Sequence, residues 1–86
     1  MKEFQVKVSI RLRPSVLDPA GAAIKSAAGK LGVHNVNSLR IGKIIDIHLE
    51  AVEKADAIEK IELLCDRLFA NKVIEDYEYS FENLDE

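Results

Sequence analysis

The sequence predicts an α+β fold, a two-layer sandwich whose elements follow the order strand, helix, strand, strand, helix, strand. Apolar and polar residues alternate at strand period over residues 4–13, and two apolar stripes at helical spacing cover residues 19–31 and 56–70. Two strand–helix–strand units joined by a hairpin are typical of a ferredoxin-like fold. The 86 residues suit one domain. We expect that domain over residues 1–82 and a flexible acidic tail over 83–86.

The first strand shows the clearest pattern in the chain. Its apolar residues recur at every second position and end before Pro14, so that one face of the strand is predicted to be buried. The strands predicted later are shorter, which should leave apolar surface and unpaired backbone on the first one. We therefore expect a homodimer built through strands, with an interface at Phe4, Val6, Val8 and Ile10.

The first helix is predicted to begin at Asp18-Pro19 and to end near Leu31. Asp18 is a suitable N-cap, proline is favoured in the first turn, and Gly32 provides the C-terminal stop. Glycine and alanine dominate the interior, which makes the helix thin. This composition allows either close packing on the sheet or close approach of a partner subunit.

The later elements follow from shorter patterns. A strand is predicted over residues 36–41, with a tight reversal at Gly42-Lys43 that leads into a returning strand. The second helix should run from Asp56 to Ala70, and Asn71 is expected to end it in the left-handed conformation. The apolar residues of the last strand share one face, and they are Val73, Tyr77, Tyr79 and Phe81.

Composition excludes several classes of protein. The net charge of −3 argues against an electrostatic nucleic-acid binder, and no run approaches the ~20 apolar residues of a membrane span. A single cysteine, Cys65, provides no disulfide framework. The alternating start of the chain does not resemble a signal peptide. We expect a soluble, cytoplasmic protein.

The sequence offers no constellation of catalytic residues. His34 and His48 fall in different elements, Cys65 lies on the apolar stripe of a helix, and the four glycines match neither a dinucleotide-binding nor a phosphate-binding loop. We therefore predict no catalytic, cofactor-binding or metal-binding residue, and no active site of its own.

Two stiff corners, each joining a strand and a helix, are instead predicted to bind other proteins. The first covers residues 14–21 and the second residues 71–76, and both mix charged and apolar side chains. Four basic residues, Arg11, Arg13, Arg40 and Lys43, are predicted to form one basic side, whose guanidinium groups could bind carboxylates or phosphates in a bidentate way. The acidic residues Glu75, Asp76 and Glu78 could complement this side across a dimer or a larger assembly. The predicted partner-binding residues are Pro14, Leu17, Asp18, Pro19, Gly21, Arg40, Lys43, Asn71, Val73, Glu75 and Asp76.

Three motifs carry a resemblance to a known family. Ser-Val-Leu-Asp-Pro-x-Gly at 15–21, Arg-Ile-Gly-Lys at 40–43 and Ala-Asn-x-Val-Ile-Glu-Asp-Tyr at 70–77 resemble PurS, the small subunit of phosphoribosylformylglycinamidine synthase in purine biosynthesis. The resemblance implies a dimer that binds a large ATP-using synthetase subunit and a glutaminase subunit. It also implies a non-catalytic role in bridging the two enzymes and assisting ammonia transfer, while the complex, and not this subunit, uses ATP and Mg.

Rival functions remain at this point. A ferredoxin-like small-molecule-binding regulatory domain is the main alternative, although the corner at residues 13–18 lacks the glycines that admit a ligand to the backbone. An acylphosphatase-like enzyme would need a glycine-rich anion loop after the first strand. An RNA-binding domain of the RRM kind would need aromatic residues on central strands, and only Phe4 of the five aromatics lies outside the last third of the chain.

Overall fold

The computed structural model describes residues 1–82, which form three strands and two helices. The elements are β1 (Lys2–Leu12), α1 (Pro19–Lys30), β2 (Gly42–Ala51), α2 (Lys54–Leu64) and β3 (Glu75–Glu82), with one turn of π-helix, Cys65–Phe69, extending α2. The strands make one antiparallel sheet in the order β2-β1-β3. The predicted α+β class is confirmed, and the predicted tail at 83–86 lies outside the described residues.

The long alternating strand is the centre of the sheet. In β1, the side chains of Val6, Val8 and Ile10 are each at most 2% exposed. Because β2 and β3 flank β1 on opposite sides and lie parallel to each other, the connection through α2 crosses the face of the sheet above β1. Ile61 and Cys65 of that connection complete the core.

This placement corrects the predicted dimer interface. Both edges of β1 are paired within the chain, and β2, with 10 residues, is almost as long as β1, with 11. The strand is therefore not overlong, and its backbone is unavailable to a second copy. Val6, Val8 and Ile10 belong to the core of one chain, and Phe4 packs edge to face on Phe81 with ring centroids 5.8 Å apart.

The predicted hairpin is wrong as well. Within residues 1–82, the segment 36–41 pairs with no strand, and Gly42-Lys43 begins β2 instead of reversing the chain. The apolar residues of segment 36–41 are typical of a strand, but β1 is already paired with β2 on one edge and β3 on the other. The segment therefore has no free edge of β1 to pair with. It follows α1 back to the sheet as an irregular connection.

Helix α1 does not cover the sheet. Only Gly21 is buried along α1, whereas Ile24 is 49% exposed and Leu31, which follows the helix, is 84% exposed. The Cα radius of gyration is 16.8 Å and the extents are 51 × 31 × 14 Å, against about 12 Å for a compact domain of this length. The first strand–helix connection thus extends beyond the sheet, and the expected packing of α1 on the sheet is not found in the single chain.

The ends of the helices show which capping predictions hold. Gly32 has a φ of +93°, and the Gly32 and Val33 amides donate to the carbonyl oxygens of Gly29 and Ala28 in a Schellman motif, so the predicted stop is confirmed. The predicted left-handed conformation of Asn71 is wrong. Within residues 1–82, no residue other than glycine has a positive φ. The π turn ends α2 instead, with the Ala70 amide donating to the Cys65 carbonyl at 3.1 Å.

Candidate docking surface

The three sequence motifs meet at the end of the sheet where β1 finishes. We call this region the corner surface and define it as residues 13–21, 39–43 and 71–76. Three side chains, from Arg13, Asp18 and Arg40, hold its segments together through hydrogen bonds to backbone groups. Arg13, Asp18 and Arg40 therefore fix the positions of the three segments relative to one another.

Arg13 joins the end of β1 to the second corner. Its amide donates to the Ile74 carbonyl at 2.8 Å, and its Nη2 donates to the Lys72 carbonyl at 2.6 Å. Its Nε lies 3.4 Å from Asp76 Oδ1 in an exposed ion pair. The segment 71–76 is therefore fixed against the residue that follows β1.

Asp18 joins the start of α1 to the start of β2. Its Oδ1 accepts from the Gly21 amide at 3.0 Å, which confirms the predicted N-cap, and its Oδ2 accepts from the Ile41 amide at 2.8 Å. The hydrogen bond from Ile41, then that from Gly21, holds the pKa of the Asp18 carboxyl below its ordinary value, because both stabilise the ionised form.

Arg40 and Gly21 close the first corner. Arg40 Nη2 donates to the carbonyl oxygens of Arg13 at 2.9 Å and Val16 at 2.6 Å, so part of this guanidinium has a structural role. A Cβ atom at Gly21 would lie 2.8 Å from the Leu39 carbonyl oxygen. Glycine is required there because the segment before β2 approaches the helix backbone closely.

The second corner is held by its own side chains. Asn71 Oδ1 accepts from the Val73 amide at 3.1 Å, and the Asn71 amide donates to Glu75 Oε1 at 2.7 Å. The Lys72 ammonium is hydrogen-bonded to Asp66, which raises the pKa of Lys72 and lowers that of Asp66. Asn71 and Glu75 thus fix the conformation of the loop. This structural role is separate from the partner binding that the sequence predicts for both residues.

Two apolar side chains project from this fixed framework. Leu17 is 86% exposed and Val73 is 82% exposed. Pro14, Pro19 and Asp76 are also exposed. Exposed aliphatic side chains on loops whose backbone is already hydrogen-bonded offer a binding surface at little ordering cost.

The structure brings nearly all the predicted partner-binding residues to one end of the molecule. Lys43, unlike Arg13, Asp18 and Arg40, does not hold the segments of the corner surface together. It lies in β2 opposite Ile10, and its ammonium has no hydrogen-bonding partner within residues 1–82. Arg13 was predicted only as part of the basic side, on the polar face of the strand, so its role in joining β1 to the second corner within one chain was missed. Its position directly before Pro14 was the available signal.

The remaining candidate side chains have ordinary environments. Burial raises the pKa of the Cys65 thiol, with a smaller contribution from Glu62, and the side chain is fully enclosed by the core. His48 Nε2 lies 3.1 Å from Glu3 Oε1 on the polar face of the sheet. Over the part of the chain that the structure describes, three or more metal-ligating side chains do not converge anywhere, and no helix has the length and apolar character needed to cross a membrane.

Known proteins resemble this chain along nearly its whole length. The PurS family, described as phosphoribosylformylglycinamidine (FGAM) synthase, matches residues 5–83. The phosphoribosylformylglycinamidine synthase subunit PurS of Synechocystis sp. is 46% identical over 74 residues, which cover 86% of this chain and 74% of that protein. The Bacillus subtilis subunit is 37% identical over 81 residues, covering 94% and 95%.

Solved structures of PurS proteins share the fold of this chain. A chain in the structure of PurLQS from Thermotoga maritima superposes with a TM-score of 0.89 at 32% identity, covering 95% of this chain and 100% of that one. The structure of Bacillus subtilis PurS gives a TM-score of 0.83 at 38% identity, covering 93% and 99%. Because the family match spans residues 5–83 and the relatives are 46% and 37% identical over 86% and 94% of this chain, the chain belongs to the PurS family.

Proposed function

We propose that this chain is the non-catalytic small subunit of phosphoribosylformylglycinamidine synthase and acts in purine biosynthesis in the cytoplasm. Family membership supports the assignment, as does the similarity to a chain of PurLQS. The observation that carries the bridging role is the corner surface, in which the aliphatic side chains of Leu17 and Val73 project from loops fixed by Arg13, Asp18 and Arg40. The surface binds the synthetase and glutaminase subunits.

Ammonia transfer gives such a bridging subunit a physical purpose. Ammonia released in neutral water is mostly protonated, and ammonium has no lone pair with which to attack an activated substrate. A subunit that seals the interface between the two enzymes keeps ammonia from equilibrating with solvent. This subunit itself binds no cofactor, while ATP and Mg belong to the synthetase subunit.

The shape of the chain supports the homodimer. The accessible surface is 6318 Å², against about 5,100 Å² for a compact monomer of this mass. The excess of about 1,200 Å² is larger than the roughly 800 Å² that one partner contributes to a standard interface. A second copy covers α1, on which Ile24 is 49% exposed and most alanines are exposed within residues 1–82, and the segment 36–41 pairs across the same interface.

Assembly with purified partners tests the corner surface. Leu17→Ala and Val73→Ala should leave the melting temperature nearly unchanged, because both side chains are exposed, and should weaken binding to the synthetase and glutaminase subunits severalfold. Leu63→Ala is the matched control, since Leu63 is an exposed leucine (57%) on α2. If Leu17→Ala and Val73→Ala assemble as tightly as Leu63→Ala, the corner surface is not the docking site.

Sedimentation tests the homodimer. Ile24→Lys should shift the protein toward a monomer of 9.6 kDa, because a buried unpaired ammonium is costly. Ser26→Lys, on the other side of the same exposed helix, adds the same charge and should remain dimeric. A wild-type chain that sediments as a monomer at micromolar concentration would refute the dimer.

A further inference from the structure

A groove that overlaps the corner surface at Pro14 and Arg40 has an unusual lining. It is formed by Arg11, Leu12, Pro14, Ser38 and Arg40, and its volume is about 630 Å³. The two charged residues of this lining are both arginines, in a chain whose net charge is −3. We call it the arginine groove.

Both guanidinium groups keep donors available. Arg40 uses Nη2 for the carbonyl oxygens of Arg13 and Val16, which leaves Nη1 and Nε. The guanidinium of Arg11 forms neither a hydrogen bond nor an ion pair with any residue of 1–82. The carboxylate opposite it in the sheet register, Asp76, is already paired with Arg13.

Most other cations of the described chain are neutralised within it. Ion pairs with carboxylates involve Lys2, Lys7, Arg13, Lys60, Arg67 and Lys72. Arg11 and Lys43, by contrast, line one further cleft of about 230 Å³ next to the arginine groove, and neither has a carboxylate partner within 4.0 Å. Of the cations without a carboxylate partner in the described chain, Arg11, Arg40 and Lys43 therefore lie together at the end of the sheet that carries the corner surface.

We propose that the arginine groove binds an acidic segment of a partner protein of the complex, an inference that rests on the proposed docking function. Carboxylates of the segment pair with Arg11 and Arg40 in the bidentate geometry that guanidinium favours. An aliphatic residue of the same segment packs on Leu12 and Pro14. A free phosphate would use the arginines but not these apolar side chains, and the groove is large enough for several peptide residues.

Arg11 provides the decisive variant, because its guanidinium supports no other part of the fold. Arg11→Glu should weaken binding to the synthetase–glutaminase pair at least about tenfold and should reduce the salt dependence of that binding. Lys30→Glu is the matched control, since it makes the same charge change on an exposed lysine at the far end of α1 and should bind normally. Arg11→Lys keeps the charge, loses the bidentate pair and should lie between the two.

A direct titration identifies the ligand chemistry. A synthetic peptide of alternating glutamate and leucine should shift the backbone amide resonances of Arg11 and Ser38 in the wild-type protein, and these shifts should be lost in Arg11→Glu. Inorganic phosphate at the same concentration should not reproduce them. Equal effects of phosphate, or Arg11→Glu assembling like Lys30→Glu, would overturn the inference while leaving the docking function intact. A wild-type chain that assembles with neither enzyme would instead refute the docking function.

Discussion

Asp18 and Ile41 are 23 residues apart in the sequence, yet the Asp18 Oδ2 atom accepts a hydrogen bond from the Ile41 amide at 2.8 Å. The other oxygen of the same carboxylate caps α1 at the Gly21 amide. One side chain thus fixes both where the helix begins and where the chain returns to the sheet. This carboxylate therefore helps to fix the orientation of helix α1 relative to the sheet.

Replacing Asp18 should separate its two roles. Asp18→Asn keeps an oxygen that can cap the helix but presents an amide donor to the second N–H, while Asp18→Ala removes both acceptors. The melting temperature should fall by a few degrees in Asp18→Asn and further in Asp18→Ala. Thermal unfolding followed by circular dichroism measures this order, and equal values for the two variants would contradict the role of the Ile41 hydrogen bond.

The same carboxylate should make stability depend on pH. Its pKa in the folded state lies below the ordinary value of 3.8, so the unfolded chain binds the proton more readily. The stabilisation is therefore fully present above that value and is lost as the pH falls through the lowered pKa. The difference in melting temperature between the wild type and Asp18→Asn should be constant above about pH 5 and should close in stronger acid.

A control carboxylate makes the pH test specific. Asp46 lies on β2, and its side chain forms no hydrogen bond with residues 1–82. Asp46→Asn should change the melting temperature little at any pH in the same series. A gap for Asp18→Asn that does not narrow at all as the pH falls below the ordinary value of 3.8 would show that the ionised carboxylate is not what stabilises the corner.

The glycines of α1 should respond in opposite directions to alanine. In Gly21→Ala the new Cβ would lie 2.8 Å from the Leu39 carbonyl oxygen, so the chain must shift, and we expect a loss of about 1–3 kcal/mol. Gly29→Ala is the matched control, because its nearest neighbour, His34 Nδ1, is 3.7 Å away, and it should gain up to about 1 kcal/mol from helix propensity. Urea unfolding measures both, and stabilisation by Gly21→Ala would disprove the close approach.

Local patterns predicted much of this fold. The alternation in β1, the cap at Asp18 and the stop at Gly32 each depend on neighbouring residues, and each is found in the structure. The three motifs also meet at one end of the sheet. Their meeting point was not readable, because the contacts of Arg13 with Lys72 and Asp76 join residues far apart in the sequence.

The failures have a common physical cause, which is that composition does not say what covers a surface. The apolar residues of 36–41 indicate a strand, but within the described chain this segment has no strand neighbour. The small residues of α1 favoured packing on the sheet over contact with a partner, and the structure shows α1 off the sheet. Helical spacing places Leu68 on the predicted apolar stripe with Ile61 and Cys65. The π turn, which that spacing cannot reveal, instead leaves Leu68 70% exposed while Phe69 packs on the core.

The single thiol should react only when the core opens. Cys65 is 0% exposed, and burial raises its pKa, so that the native side chain is a protonated thiol without access to reagent. A disulfide exchange reagent should label the native protein orders of magnitude more slowly than the urea-unfolded chain. Ile61→Ala, which should cost about 2–5 kcal/mol by opening the same core, should accelerate labelling. Rapid labelling of the stable native protein would place Cys65 outside the core.

The hydrogen bond between Tyr79 and Glu62 allows a spectroscopic test of the packing of α2 against β3. The Tyr79 hydroxyl donates to Glu62 Oε2 at 2.7 Å, and this hydrogen bond is the main cause that raises the pKa of Tyr79 to about 12 from an ordinary value of 10.0. Glu62→Gln should lower that pKa toward 10.0, because a neutral acceptor holds the phenolic proton less strongly. Ultraviolet absorbance of tyrosinate in an alkaline titration follows the change. Glu59→Gln, on the same helix, is the control and should leave the titration unaltered, and an unshifted titration in Glu62→Gln would mean that α2 and β3 are not joined by this hydrogen bond.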